Sequence, residues 1–135
     1  MNIMYFLTPK IQVSCLRDDL TIRQALEKMD SCTYTALPML DAEGHYIGTI
    51  TEGDILRYVK QAGFPSLKEI EKTPLVDIPA RRAVIPARAG ASMEELFATS
   101  LEQNFVPVVD DRGVFIGIIT RRSIMKYFFE NHTAK

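Results

Sequence analysis

Residues 38–58 read PMLDAEGHYIGTITEGDILRY, and residues 107–127 read PVVDDRGVFIGIITRRSIMKY. The two stretches align without a gap at an offset of 69, with nine of twenty-one positions identical. Agreement on that scale marks an internal repeat, so one structural unit is used twice in the chain. Within each copy two strand-like runs flank a turn signal: TALPML and YIGTI around DAEG, then NFVPVV and VFIGII around DDRG. Each copy therefore predicts a paired hairpin.

Working outward, each hairpin runs into a helix, from Thr51 to about Lys60 and from Thr120 to about Glu130. Thr51 and Thr120 suit the N-cap, Asp54 stands at N3 where its carboxylate reaches back to the cap, and Ile50 with Ile55 forms a hydrophobic staple, as does Ile119 with Ile124. Upstream the match continues through LTIRQALEKM and ASMEELFATS, where Ile22, Ala25, Leu26 and Met29 fall on one helical face, as do Met93, Leu96 and Phe97. A short strand around Ile11 to Cys15 precedes the first of these helices. The order is strand, helix, strand, strand, helix, twice over, which is an α/β (α+β) class. Residues 1–62 form the first repeat with its N-terminal segment, 63–83 a linker that also packs, with a short helix at Ser66 to Glu71, and 84–135 the second repeat. Two helices cannot cover a sheet of this size on both faces, so the repeats are expected to pack sheet to sheet about a pseudo-twofold axis.

Composition removes several classes of function. Seventeen acidic against sixteen basic residues leave a formal charge of −1 in 135 residues, so no general cationic surface exists for nucleic acid. Cys15 and Cys32 match no zinc or CxxC spacing, and neither a disulfide nor a metal is expected. The opening MNIMYFLTPKIQV lacks a basic n-region and a full apolar core, and no run approaches the roughly 20 apolar residues of a membrane span. The reading predicts a soluble cytoplasmic protein without nucleic acid or membrane partners.

The chemistry sits where strand gives way to helix. Gly48 to Thr51 reads GTIT and Gly117 to Thr120 reads GIIT. Free N–H groups at a helix start, extended by a threonine hydroxyl, favour an anion. Asp54, three residues past Thr51, lies on the same side of the helix, and a carboxylate there can accept two hydrogen bonds from a vicinal diol. Together these can hold a phosphate and a ribose, with the strand from Tyr34 to Pro38 as an apolar slot for a base and Tyr34 as its stacking surface. The same four residues equally make a plain capping box. Arg121 and Arg122, two cations in a helix first turn, oppose the macrodipole and so invite an anion, or an ion pair of Arg121 with Glu52 or Asp54.

The twofold repeat of proline, two apolar residues, Asp, Gly and the Gly-h-h-Thr junction, with Asp54 three residues after the first Thr, resembles a tandem pair of CBS domains, a Bateman module, over roughly Leu7 to Phe129. The resemblance implies a regulatory module, without catalytic residues or a required cofactor, that binds AMP, ADP, ATP, S-adenosylmethionine or cyclic di-AMP in clefts between repeats. It also implies homodimers. Carried over by position, Asp54 is the ribose acid and Thr51 the phosphate-side hydroxyl, while Lys10, Gln12 and Val13 of the first strand and Tyr34, Thr35 and Ala36 surround the base. In the second copy Ser123 replaces the acid, leaving Thr120, Arg121 and Arg122 on the phosphate side. The Thr-Arg-Arg run, Lys10 and the YTALP strand are also similar to small stand-alone CBS pairs of Gram-positive bacteria that act as cyclic di-AMP receptors and dock onto partner enzymes; a partner enzyme or transporter is therefore expected. In those proteins an acid at the position of Asp54 is atypical.

No serine, cysteine or carboxylate stands at a catalytic spacing from His45 or His132, and both are expected to be solvated. Arg81, Arg82 and Arg88 form a basic cluster that reads as a solvated face. Met4, Tyr5 and Phe6 are expected on an edge or a dimer contact, and Tyr58 and Tyr127 in a core or interface. A different class of function remains beside the sensor: a dimerisation or scaffolding module that ignores ligands.

Overall fold

The computed structural model describes residues 2–32, 35–79, 85–101 and 103–133, with 131–133 by backbone alone. In chain order the strands are β1 (Thr8–Pro9), β2 (Leu16–Arg17), β3 (Ala36–Leu40), β4 (Tyr46–Thr51), β5 (Ala87–Arg88), β6 (Phe105–Val109) and β7 (Phe115–Thr120). The helices are α1 (Ile22–Asp30), α2 (Glu52–Gln61), α3 (Leu67–Lys72), α4 (Met93–Ser100) and α5 (Arg121–Thr133). The chain has the mixed α/β class expected, with two separate sheets. Residues 14–83 form one compact unit, and residues 1–13 with 84–135 form the other.

In the first of these units the sheet runs β2-β3-β4. Antiparallel β3 and β4 form the predicted hairpin, and β2 joins parallel to β3 with Leu16 opposite Met39. The turn has a clear cause. Asp41 Oδ1 accepts the N–H groups of Glu43 and His45, both at 2.9 Å, and Gly44 takes the left-handed backbone (φ 88°) that a side chain would resist. Helix α1 opens on a capping box in which Thr21 and Gln24 bond each other's backbone, and it buries Ile22, Ala25 and Met29. Leu26, expected on that apolar face, sits at its margin and is exposed. The segment expected as a packing linker does pack: α3 forms behind its Ser66 cap, and Leu75 and Ile78 enter the core with Leu16, Leu37, Ile50 and Ile55.

The second unit repeats this plan. β6 and β7 form the hairpin, β5 lies parallel to β6, and Asp110 Oδ1 accepts the N–H groups of Arg112 and Val114 as Asp41 does in the first. Its sheet has a fourth strand, however. β1 pairs antiparallel with β7, placing Thr8 opposite Ile118 and Pro9 opposite Gly117. Ile3 and Phe6 are buried in this core beside Leu96, Val106 and Ile119, and the Phe6 ring meets the Tyr127 ring edge-on at 4.9 Å. The N-terminal segment, which precedes the first repeat in the chain, thus packs in the second unit. Proline suits this place, since it lacks an N–H and is tolerated at a sheet edge. The strand expected at Ile11 to Cys15 is absent. Lys10–Gln12 is one turn of 3-10 helix, closed by Val13 N–H to the Lys10 carbonyl at 3.0 Å, and pairing resumes only at Leu16.

Gly117 explains how β1 comes so close. A Cβ built there would lie 2.2 Å from the Thr8 carbonyl oxygen, whereas one built at Gly48, the matching position of the first repeat, meets nothing within 4 Å. The two glycines have nearly the same φ, 156° and 157°, so substituting each in turn separates crowding from backbone strain. Gly117→Ala is expected to lose about 1–3 kcal/mol, the usual cost of forcing atoms into a filled space, and to release residues 3–8 to amide exchange. Gly48→Ala should lose clearly less in the same urea titration. Equal losses, with the N-terminal amides still protected, would contradict the packing of β1.

Candidate functional site

The site grows from the junction of β4 and α2. Thr51 has extended backbone angles, and its Oγ1 accepts the Asp54 N–H at 3.0 Å while Asp54 Oδ2 accepts the Thr51 N–H at 2.9 Å. This is the predicted capping box. The staple is present as well, with Ile50 and Ile55 in one buried cluster and Ile119 and Ile124 in the other. Asp54 is only 8% exposed, and its second oxygen, Oδ1, accepts from Arg57 Nη2 at 2.6 Å. The pair borders a cavity of about 120 Å³ whose other lining residues are Tyr58, Gln61 and Pro79.

The free N–H cradle expected at this helix start is smaller than the sequence implies. The Glu52 N–H bonds to the Thr35 carbonyl at 3.0 Å, and that of Asp54 is held by Thr51. Thr35 and Ala36 are nonetheless adjacent to the junction, because Ala36 lies opposite Thr51 in the β3–β4 ladder. Thr35, Ala36, Thr51 and Asp54 are thus brought together in one unit. Tyr34 lies outside the described residues, as do Arg81 and Arg82 and the side chain of His132. Lys10, Gln12 and Val13, expected beside the first repeat, fall in the other unit with Thr120, Arg121 and Arg122.

At the second junction Thr120 Oγ1 accepts the Ser123 N–H at 3.1 Å and donates to Ser123 Oγ at 3.0 Å, and Ser123 Oγ donates to the Thr120 carbonyl. The cap is complete without an acid. Arg121 has an employment that the sequence did not reveal. Its Nε donates to the Ser100 carbonyl at 2.7 Å and its Nη2 to the Leu101 carbonyl at 3.3 Å. The guanidinium therefore lies at the negative end of α4, which outweighs its unfavourable place at the start of α5. Arg122 is exposed and has no hydrogen bond or ion pair with a described residue. Sequence reasoning missed Arg57, whose signal was its spacing of three from Asp54 on a helix.

Elsewhere, His45 is not simply solvated: its Nδ1 meets Asp41 Oδ2 at 3.0 Å. The repeats also differ in one strand pair. Tyr46 and Thr49 share a hydroxyl contact of 2.6 Å, where the second copy has Phe115 and Ile118. Burial pushes the Tyr46 phenol up to about 12, so it stays a neutral hydroxyl. Cys15 and Cys32 are not joined in a disulfide. No helix among the described residues is long and apolar enough to cross a membrane.

The CBS domain model matches residues 8–61 and 75–130. The chain belongs to the CBS-domain family. It is 31% identical over 110 residues to cyclic di-AMP receptor B of Bacillus subtilis, covering 78% of this CBS pair and 71% of that protein. It is 32% identical over 113 residues to an inosine-5'-monophosphate dehydrogenase of Methanocaldococcus jannaschii, covering 80% of this chain but 20% of that enzyme. The CBS pair thus spans a fifth of that curated relative's length. Among solved structures, CbpB in complex with c-di-AMP superposes with a TM-score of 0.86 at 25% identity, over 96% of this chain and 85% of that one.

The Arg121 contacts predict that Arg121→Ala lowers folding stability by about 1 kcal/mol, as for loss of a charge-assisted helix cap. Arg122→Ala should leave stability within about 0.5 kcal/mol, as for an exposed surface change. Urea titrations of the two variants check this, and equal effects would contradict the assignment.

Proposed function

We propose that this CBS pair is a non-enzymatic sensor of an adenosine-containing nucleotide (AMP, ADP, ATP or cyclic di-AMP), which it converts into a change of homodimer geometry or of affinity for a partner enzyme or transporter. The observation that carries the reading is the state of Asp54. A carboxylate offers about four acceptor positions, two on each oxygen. The chain fills one on Oδ2 through the Thr51 N–H and one on Oδ1 through Arg57, which leaves one on each oxygen. Two adjacent acceptors complement the two donors of a ribose 2',3'-diol. Thr51 marks the phosphate side, and the backbones of Thr35 and Ala36 border the base.

Such a match favours a mononucleotide with a free diol. In cyclic di-AMP the 3'-oxygen is esterified, and each ribose keeps only its 2'-hydroxyl. A second reading, in which cyclic di-AMP is the ligand, is supported by the likeness to cyclic di-AMP receptor B and to the c-di-AMP complex of CbpB. Binding can change dimer or partner affinity only where the two states contact the ligand differently. The rival scaffold reading predicts dimers whose stability ignores nucleotides.

Asp54→Ala tests the carrying observation. Calorimetric titration should show AMP, ADP or ATP affinity reduced by about 1–3 kcal/mol, the worth of hydrogen bonds to a charged group. Cyclic di-AMP should lose no more than about half of that, because one donor per ribose is absent. Unchanged affinity for every ligand that the parent protein binds would remove Asp54 from the site.

A further inference from the structure

We infer that Arg57 is a positioning residue for sugar recognition, one that sets how strongly the module distinguishes ribose from deoxyribose; the inference rests on the reading of Asp54 as the ribose acid. The two repeats of the chain differ at this junction. The second repeat makes its strand-to-helix junction with Thr120 and Ser123 hydroxyls alone, and α5 forms behind that cap. An acid and an arginine are therefore not needed to start the helix. The first repeat nevertheless buries a carboxylate there and ties it to a guanidinium at 2.6 Å, with the arginine side chain 37% exposed and the aspartate side chain 8% exposed. Burying a charge costs more than burying a hydroxyl, so a cap alone does not account for the pair.

Geometry points to the same role. A carboxylate held only by the Thr51 N–H at Oδ2 keeps freedom to turn about its last torsion, which is broad for aspartate. Arg57 fixes the other oxygen, so both remaining acceptor positions have a set direction before a ligand arrives. Its guanidinium folds back over the first turn of α2: a Cβ built at Gly53 would lie 3.7 Å from Arg57 Nη1 and 3.6 Å from Thr51 Oγ1. Acid, arginine and threonine hydroxyl thus occupy one short stretch of surface, and Asp54 and Arg57 together line the cavity that Tyr58, Gln61 and Pro79 complete. Pre-setting a hydrogen-bonding group lowers the ordering cost of binding and sharpens discrimination against a ligand that lacks the partner hydroxyl.

The test is the ratio of AMP to 2'-deoxyAMP affinity, measured by calorimetry on the full chain for the parent protein, Asp54→Asn, Arg57→Gln and Arg57→Lys. The parent should prefer AMP by roughly tenfold or more, as for a charge-assisted hydrogen bond, and Asp54→Asn should abolish the preference. In Arg57→Gln the ratio should fall to threefold or less, with 2'-deoxyAMP affinity within about twofold of the parent, because base and phosphate contacts do not use the pair. Arg57→Lys, which keeps a cation on the same stem, should recover part of the ratio and is the readout if the glutamine variant does not fold. A parallel loss for both nucleotides, or an unchanged ratio, in the folded arginine variants would overturn the inference while the nucleotide reading stands. A parent that binds another adenosine ligand but neither of these nucleotides would overturn the inference alone, and one that binds no adenosine ligand would overturn the nucleotide reading with it.

Discussion

Each repeat depends on the hydrogen bonds that turn a strand into a helix at a threonine. In the first, Asp54 N–H reaches Thr51 Oγ1 at 3.0 Å and Glu52 N–H reaches the Thr35 carbonyl at 3.0 Å; in the second, the matching bonds from Ser123 and Arg121 are 3.1 and 2.9 Å, to Thr120 Oγ1 and the Asn104 carbonyl. Two otherwise orphaned N–H groups are satisfied at each junction, one by a side chain and one by the neighbouring strand. That pair of bonds fixes where the helix starts relative to the hairpin, and the staples of Ile50 with Ile55 and Ile119 with Ile124 follow from it. The candidate site is the same junction with one acid added.

The two copies share a frame and differ in what they place on it. Asp54 and Arg57 in the first stand where the second has Ser123 and Lys126, and the Tyr46 and Thr49 hydroxyls stand where it has Phe115 and Ile118. The edge of β7 at Gly117 is covered by β1, while a side chain at Gly48 on β4 would meet no atom within 4 Å. Polarity and open space therefore collect in one repeat, and packing collects in the other. Membership of the CBS family accounts for the frame; the asymmetry is what sets the candidate site of the first repeat apart from the matching junction of the second.

Most of the frame was legible because it is local. Helix caps, staples, turn residues and hairpin registers each depend on residues within a few positions, and Asp41, Thr51, Ser66 and Ser92 act as their sequence contexts imply. What was not legible depends on distant partners. The N-terminal segment reads as part of the repeat that follows it, yet the open edge of β7 more than a hundred residues away claims Thr8 and Pro9. Lys10, Gln12 and Val13 follow β1 directly and so fall in that same unit. Arg121 looked unfavourable because only its own helix is visible in the sequence; the α4 carbonyls that justify it become neighbours only on folding. Arg57 was within reach of the sequence by its spacing from Asp54 and was passed over.

Whether the buried, oriented carboxylate of the first repeat serves a nucleotide is open to direct measurement. The most direct measurement is calorimetric titration of the purified, nucleotide-stripped chain with AMP, ADP, ATP, cyclic di-AMP and S-adenosylmethionine, with stoichiometry fitted alongside affinity. A sensor should show micromolar or tighter binding, a free energy of about −8 kcal/mol or better, for at least one of them at one site per chain. Absence of binding across the panel would contradict the sensor reading and leave the CBS pair as a scaffold.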